Sequence, residues 1–356
     1  MSTSSYPLII AIGSHYEMGR QHGEQAAEII HAFLDYLAGS LSLSREELRA
    51  KALRFQPLFE QTCPHLWDEI QGLAEGAGLE TADALAVQLR GELGQLPDSA
   101  CTSYVISGRG TADGNPLIGQ TSDTPTEIVE FGYVLHLQPD DKPELLMWTF
   151  GGMIGYHGLN RNGVAHFANA LGGGPEWKFA LSHYPLKRMI LEQRTVGEVV
   201  QLMQEIPVCS NGNYVLCDTE GRILDVELTT EGPQILEDEG AGFLAHANHY
   251  LCTAYACQNN YDQSLPDSFN RQERINQLIR EKFGSITIDD VKTFLSDHEN
   301  HPVSICRHPH DGYGDDVLPS TGHTVAALIA EPARGRLHVS RGNPCENPFV
   351  EYAMQD

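Results

Sequence analysis

Apolar positions recur at helical spacing through the first hundred residues and then give way to short β-type runs. After one opening strand at 8–12, Ala26, Ile30, Phe33 and Leu37 follow one another by four, three and four residues, which lines one face of a helix. Ser44 and Glu47 form a capping box ahead of Leu48, and Pro64 stands where a helix begins, before Leu66, Ile70 and Leu73. Gly76-Ala77-Gly78 separates this helix from a further one expected over 82–93.

From Cys101 the pattern predicts strands at 102–107, 116–120, 132–138, 144–150, 164–169, 213–218, 222–228 and 242–246. Helices are expected at 182–194, 196–205, with Thr195 and Glu198 as a capping box, 269–282 and 288–297. Two late strands, 323–330 and 336–340, form a hairpin across 331–335. Helices segregated from a large set of strands point to an α+β fold, antiparallel sheets covered by helices. No repeat or linker divides the chain, so 1–356 reads as one domain.

Composition narrows the partners. With 41% hydrophobic residues over 356 positions the chain can bury a sizeable core. A formal net charge of −25 argues against nucleic acid and anionic membrane, both of which reward basic surfaces. Residues 1–100 carry 6 basic and 14 acidic side chains, net −8, which leaves −17 for 101–356. Two pieces divided there would repel at long range, so apolar burial is expected to hold them together. The eight cysteines show neither zinc-type pairs nor the density of a disulfide scaffold, and most are expected to be reduced and buried. With no signal-peptide pattern and no apolar run of ~20 residues, a cytoplasmic location is the default expectation.

Candidate chemistry centres on Cys101, in Ala100-Cys101-Thr102-Ser103-Tyr104, at the start of a predicted hairpin whose second strand ends in Gly119-Gln120-Thr121-Ser122-Asp123. A thiol needs a base to attack a carbonyl near neutral pH, and an N-terminal cysteine carries one in its own α-amine, with a reference pKa of about 7.7–8.0. An internal Cys101 has only an amide there, so such a role requires cleavage between Ala100 and Cys101; the alternative is a small hydrophobe in a strand. Asp123 is placed by the hairpin beside Cys101, where it either bonds that amine or faces solvent before a turn. Asn248, after an apolar strand, is a candidate oxyanion donor or a turn former. Arg307, among apolar neighbours, is a partly buried cation near the thiol or the substrate, or a surface ion pair. Asn169 is a candidate for holding a polar group of the substrate, with Thr102 and Ser103 beside the nucleophile. His298, His301, His308, His310, Asp311, Asp315 and Asp316 invite a metal, but their spacing matches no strong ligand motif, and no metal is assigned. Neither Gly-x-Ser-x-Gly nor a phosphate-binding glycine loop occurs.

Over nearly its whole length the chain resembles the acyl-coenzyme A:6-aminopenicillanic-acid acyltransferase family of N-terminal-nucleophile hydrolases. The resemblance rests on 13–23 and 70–78 in the first piece, both rich in glycine, and on Cys101-Thr102-Ser103, Gly119-Gln120 with Asp123, and Gly158-Leu159-Asn160 with Asn169. Asn213-Tyr214, the run 246–250, His298-Glu299-Asn300 and 304–307 complete it. It implies a four-layer αββα sandwich of two antiparallel sheets and self-cleavage at Ala100–Cys101, giving a helical piece 1–100 and a catalytic piece 101–356. It also implies Cys101 as nucleophile with its amine as base, Asp123 as partner of that amine, Asn248 as oxyanion donor, Arg307 as neighbouring cation and Asn169 on the substrate side. The chain departs from the family at three positions: Ala100 replaces the usual glycine, and Thr121-Ser122 replaces asparagine-tryptophan.

The expectation is therefore a self-processing cysteine amidohydrolase or acyltransferase for a small amide, without cofactor, paired with its own cleaved N-terminal piece and open to homo-oligomerisation. An unprocessed relative that binds a small amide without turnover, and a metal-dependent hydrolase built on the 298–316 histidines, are the alternatives.

Overall fold

The computed structural model describes residues 4–89, 91–94, 100–258, 267–308 and 323–354. Its first hundred residues give strand β1 (Leu8–Gly13) and helices α1 (His15–Leu41), α2 (Arg45–Leu53), α3 (Gln56–Thr62), α4 (Pro64–Ala77) and α5 (Thr81–Val87). Then come β2 (Ala100–Ile106), β3 (Leu117–Thr124), β4 (Gly132–Pro139), β5 (Leu145–Phe150), β6 (His157–Asn160) and β7 (Ala165–Ala170). Helices α6 (His183–Ile190) and α7 (Val196–Glu205) precede β8 (Gly212–Cys217), β9 (Ile223–Thr229), β10 (Gly232–Leu236) and β11 (Phe243–His246). The chain continues through α8 (Ser268–Lys282), α9 (Ile288–Leu295), β12 (His323–Glu331), β13 (Arg336–Arg341) and β14 (Phe349–Ala353).

The strands form an eight-stranded sheet, order β1-β4-β5-β6-β7-β8-β9-β10, and a six-stranded sheet, order β11-β2-β3-β12-β13-β14. All pairs are antiparallel except β1 with β4, which run parallel because α1 to α5 and the β2–β3 hairpin intervene before the chain returns. The faces of β2, β3 and β11 pack on β7, β8 and β9; α1 lies against β1 and β4, α7 against β9 and β10, and α8 and α9 cover the second sheet. This is the expected αββα sandwich. The main apolar core runs through both halves of the chain, with Phe33 of α1 meeting Phe150 of β5 edge to face at 5.6 Å between centroids.

Glycines set the spacing of the helical layer. A Cβ on Gly19 would stand 2.0 Å from the Glu69 carbonyl oxygen, and on Gly72 2.0 Å from that of Tyr16. On Gly76 it would stand 2.0 Å from the Arg20 carbonyl oxygen and on Gly23 2.4 Å from that of Leu73, so α1 and α4 cross backbone to backbone. Below this crossing Arg188 Nη1 of α6 donates to Glu69 Oε2 at 3.0 Å, both residues fully buried. Residues 1–100 and the remainder are thus joined by a buried ion pair as well as by apolar burial, where apolar burial alone was expected.

The Ser44 capping box and the Pro64 start occur as the sequence predicts, whereas the box expected at Thr195 is incomplete: only the hydroxyl bond to Glu198 N forms, Glu198 turning its carboxylate to Arg194 N. The helix expected over 82–93 stops at Val87. There Gln88 leaves the helix to bridge layers, donating from Nε2 to Gly152 O at 2.9 Å and accepting Ile154 N–H on Oε1 at 3.0 Å. Four elements, α3, β6, β10 and β14, were absent from the sequence expectation; β10 and β14 are edge strands whose half-exposed residues carry little apolar alternation. Among the described residues no helix is long and apolar enough to cross a membrane.

Candidate active site

The β2–β3 register pairs Ala100 with Asp123, Cys101 with Ser122 and Ser103 with Gln120. Because side chains alternate along a strand, Cys101, Ser103 and Gln120 share the face turned to the first sheet, and Thr102 takes the face turned to α8. Gln120 Nε2 lies 4.0 Å from Cys101 Sγ, and Ser103 Oγ accepts from Asn169 Nδ2 of β7 at 3.1 Å. The thiol is buried, which pushes its pKa up to about 12; the Asp123 charge adds to the rise, and Arg271 and Lys187 oppose it.

The backbone of Cys101 is held on both sides. Its N–H donates to Asn248 Oδ1 at 3.0 Å, and its carbonyl accepts from Arg271 Nη1 at 2.6 Å. Arg271 also donates to Thr102 Oγ1 at 2.8 Å, to Asn248 Oδ1 at 2.9 Å and, through Nε, to Asp267 Oδ2 at 2.7 Å. Arg307 donates to the same Asp267 oxygen. Burial lowers the Arg307 pKa, with Asp267 opposing and Arg271 adding to the fall. For Arg271 the attraction of Asp267 and Asp123 outweighs burial and keeps the guanidinium charged. The expected cation is therefore present, but it is Arg271 that touches Cys101, with Arg307 one ion pair behind.

Asp123 Oδ1 accepts the Thr324 hydroxyl at 2.7 Å, while Oδ2 has no hydrogen-bond partner among the described residues. Burial raises its pKa to about 6 against the pull of Arg307 and Arg271.

Asn248 sits on a turn after β11 that is fixed from three sides. Its N–H donates to Ser268 Oγ, the first residue of α8, at 2.7 Å, and its Nδ2 donates to Ala170 O at 3.0 Å. Asn169 Nδ2 donates to the His246 and Ala247 carbonyls at 2.8 and 2.7 Å. Behind them the two ring nitrogens of His246 face acceptors, Ala247 O at 3.0 Å and Glu227 Oε1 at 3.1 Å, an arrangement that favours the doubly protonated ring. Burial lowers its pKa, but Asp225 and Glu227 outweigh that and raise it.

The amide orientation of Asn248 follows from its neighbours. Two donors, Cys101 N–H and Arg271, demand an oxygen on one side, and the Ala170 carbonyl demands a nitrogen on the other. The structure thus brings Cys101, Asp123, Asn248 and Thr102 together, with Arg307 behind Asp267. Asn169 and Ser103 serve as braces between the sheets, with Asn169 Oδ1 left buried and unpartnered among the described residues.

Arg271, Asp267 and Gln120 were not singled out as site residues by sequence reasoning. A signal for Arg271 existed: it falls four and eight residues before Ile275 and Ile279, a charge on the buried face of an amphipathic helix, with Asp267 four residues earlier. Of the histidine-rich segment, His310, Asp311, Asp315 and Asp316 lie outside the described residues, whereas His298 and His308 meet at 3.0 Å. A surface cleft of about 640 Å³ opens nearby between 126–130 and 341–347, apart from Cys101.

Residues 110–346 match the family model of acyl-coenzyme A:6-aminopenicillanic acid acyl-transferase. The chain belongs to this family. A curated relative, the acyl-coenzyme A:6-aminopenicillanic-acid-acyltransferase 40 kDa form of Emericella nidulans, is 25% identical over 352 residues, spanning 96% of this chain and 94% of its own length. Among solved structures, a mutant of conjugated bile acid hydrolase from Clostridium perfringens superposes with a TM-score of 0.51 at 13% identity, over 71% of this chain and 97% of that one. Penicillin V acylase from Agrobacterium tumefaciens gives a TM-score of 0.46 at 12% identity, over 72% and 80% of the two chains. The acyltransferase-family protein therefore has the N-terminal-nucleophile hydrolase fold expected from its sequence, and the family is named for acyl transfer.

Proposed function

We propose that the protein is a self-processing cysteine amidohydrolase, or an acyltransferase by the same chemistry, that acts on a small amide through a Cys101 thioester. The observation that carries this reading is the grip on Cys101: Asn248 Oδ1 on its nitrogen at 3.0 Å and Arg271 on its carbonyl at 2.6 Å. β11 ends opposite Ser103, so the outward backbone groups of Cys101 have no strand partner and are met by these two side chains instead.

In self-processing, Cys101 Sγ attacks the Ala100 carbonyl carbon and the thiol proton passes to the Cys101 nitrogen. The C–N bond breaks, leaving residues 1–100 as a thioester on the thiol. Water then attacks, giving the Ala100 carboxylate and a free Cys101 with its α-amine. Pieces 1–100 and 101–356 stay together as one domain. The free amine donates to Asn248 Oδ1 and to the open Asp123 Oδ2, which keeps its lone pair for the thiol proton. In turnover the thiolate attacks the substrate carbonyl, and the second hydrogen of Asn248 Nδ2, whose first goes to Ala170 O, supports the oxyanion with a backbone N–H. The amine passes its proton to the leaving amine, and water or a second amine takes the acyl group. Hydrolysis is favoured because water needs no second binding site. The relative's printed name, an acyltransferase using acyl-coenzyme A, supports acyl chemistry on the same scaffold.

One observation favours the unprocessed binding relative. The thiol of the intact chain is buried and held protonated, and Ala100 adds a methyl at the bond to be cut. Intact mass under denaturing conditions separates the two readings. Fragments breaking at 100/101 in the wild type but not in Cys101→Ala support self-processing. One uncut chain in both supports the binding protein.

A further inference from the structure

Four side chains on the far side of Arg307 converge on one point. Cys306 Sγ lies 3.6 Å from Cys345 Sγ and 3.7 Å from His308 Nε2, His308 Nε2 lies 3.1 Å from Cys345 Sγ, and His298 Nε2 lies 3.0 Å from His308 Nε2. All four ligand atoms are within 4.8 Å of one another. Zinc bonds of about 2.3 Å to sulfur and about 2.0–2.1 Å to nitrogen give tetrahedral edges of about 3.8 Å between sulfurs, 3.5 Å between sulfur and nitrogen and 3.3 Å between nitrogens. The four separations given above lie within about half an ångström of those edges, and the two from His298 to the sulfurs lie within 4.8 Å.

We propose that His298, Cys306, His308 and Cys345 form a structural zinc site that fixes the segment carrying Arg307. The donor set is two thiolates and two imidazoles, which selects Zn²⁺ over calcium or magnesium, and four protein ligands close its coordination sphere. A closed sphere has no place for a catalytic water, so this site does not revive a metal-dependent hydrolase. The surroundings are those of ligands held in place. Asn343 Nδ2 donates to Cys306 Sγ at 3.3 Å and also to the Arg307 carbonyl. His308 turns Nδ1 toward Glu346 Oε1 at 3.6 Å, leaving Nε2 for the metal. The zinc thereby ties the loop after α9 to the turn after β13. Arg307, between two ligands, is tied in turn to Asp267 and, through Thr324 Oγ1 accepting its N–H at 2.9 Å, to the strand facing Asp123.

The sequence hid this site because Cys345 is remote from the other three ligands and no two of them have finger-type spacing. The inference is independent of self-cleavage and is tested equally well in Cys101→Ala.

The test uses the full chain, purified without a histidine tag under reducing conditions, incubated with Zn²⁺, gel-filtered and analysed for metal by mass spectrometry. About one Zn²⁺ per chain is expected in the wild type, and essentially none in Cys345→Ser or His298→Ala. Both altered residues are at the surface, and circular dichroism confirms their folding. Replacement by Co²⁺ is expected to give tetrahedral visible bands and a thiolate-to-cobalt charge-transfer band. A wild type that retains no Zn²⁺ overturns the proposal. So does zinc content unchanged in both variants, an octahedral cobalt spectrum, or a Cys306–Cys345 disulfide in protein whose reduced form takes up no zinc.

Discussion

Asn248 Oδ1 accepts the backbone N–H of Cys101 at 3.0 Å, so a single side-chain oxygen marks the nitrogen that the proposed cleavage would convert to an amine. Replacing Asn248 by Ala removes this acceptor and the Nδ2 donor assigned to the oxyanion. The expected loss is about 10²–10³-fold in the rate of self-cleavage, about 2.7–4 kcal/mol of transition-state stabilisation. The check is a time course of fragment appearance during synthesis. Wild-type cleavage by a folded Asn248→Ala protein would mean that the contact only positions the turn.

Arg271 joins Asp267, Asn248, Thr102 and Cys101, and no other residue type spans that set. Arg271→Met fills much of the volume but strands part of the Asp267 charge. Breaking a buried pair costs about 3–5 kcal/mol, and the lower end is expected because Arg307 still holds Asp267. Arg271→Lys is expected to recover part of the stability and little of the cleavage, since one ammonium cannot serve four acceptors. Urea unfolding in the Cys101→Ala background gives the first quantity and fragment formation the second. Equal cleavage by Arg271→Met and the wild type would remove Arg271 from the site.

The contrast between Cys101 and Arg271 explains what was legible in the chain. Cys101, Asp123 and Asn248 lie at strand ends, where local pattern and resemblance place them, and the hairpin register follows from its turn. Arg271 lies in a polar stretch of a helix, and its importance depends on which face α8 turns to β2, a tertiary fact. The same holds for Gln88, whose cross-layer bonds end a helix that propensity alone would extend. Edge strands such as β14 owe their existence to a neighbour and leave almost no periodic trace. The glycines of α1 and α4 were visible as motifs, but their cause, a backbone crossing, appears only in three dimensions.

That crossing carries its own prediction. In an isolated helix Gly→Ala is worth up to about 1 kcal/mol of stability. At Gly72 the added Cβ would meet the Tyr16 carbonyl at 2.0 Å, and at Gly19 that of Glu69, neither of which can move without shifting a helix. Gly72→Ala and Gly19→Ala are therefore expected to destabilise by about 1–3 kcal/mol or more, opposite in sign to propensity. Gly39→Ala, on the same helix with open space at its Cβ, is the control. Thermal unfolding midpoints decide, and a neutral Gly72→Ala would show that the helices are not in close contact.

Asp123 gives a pH signature. Its folded pKa, raised by burial to about 6, lies above the ordinary value of 3.8, so between those limits the folded state binds the extra proton. Stability from this group is present below about pH 4 and is lost as pH rises through 6, on the order of 3 kcal/mol in all. Buried His22, held near 4 by desolvation, acts in the opposite direction, since the unfolded chain takes up its proton first as pH falls. The Asp123 contribution is therefore read as a difference. Relative to Asp123→Asn, the Cys101→Ala protein is expected to lose stability between pH 4 and pH 7 in denaturant titrations. A pH-independent difference would show that Asp123 titrates alike in both states.

Glu69 and Arg188 bear on how the two pieces of the proposed cleavage would stay together. The pair is fully buried at 3.0 Å, so salt reaches it little, and the core around it is shared by α1, α4, β4 and β5. Fragments 1–100 and 101–356 are accordingly expected to co-elute in size exclusion even at about 1 M salt, despite net charges of −8 and −17. Arg188→Ala leaves the Glu69 carboxylate buried with only His15 Nδ1, at 2.9 Å, to face it, and is expected to cost about 3–5 kcal/mol. Replacing both partners, as Glu69→Leu with Arg188→Met, removes the unpaired charge and is expected to restore most of that loss. If the double variant is no more stable than Arg188→Ala, the charge is not what the single change exposes, and packing of the Arg188 stem is what holds the pieces there.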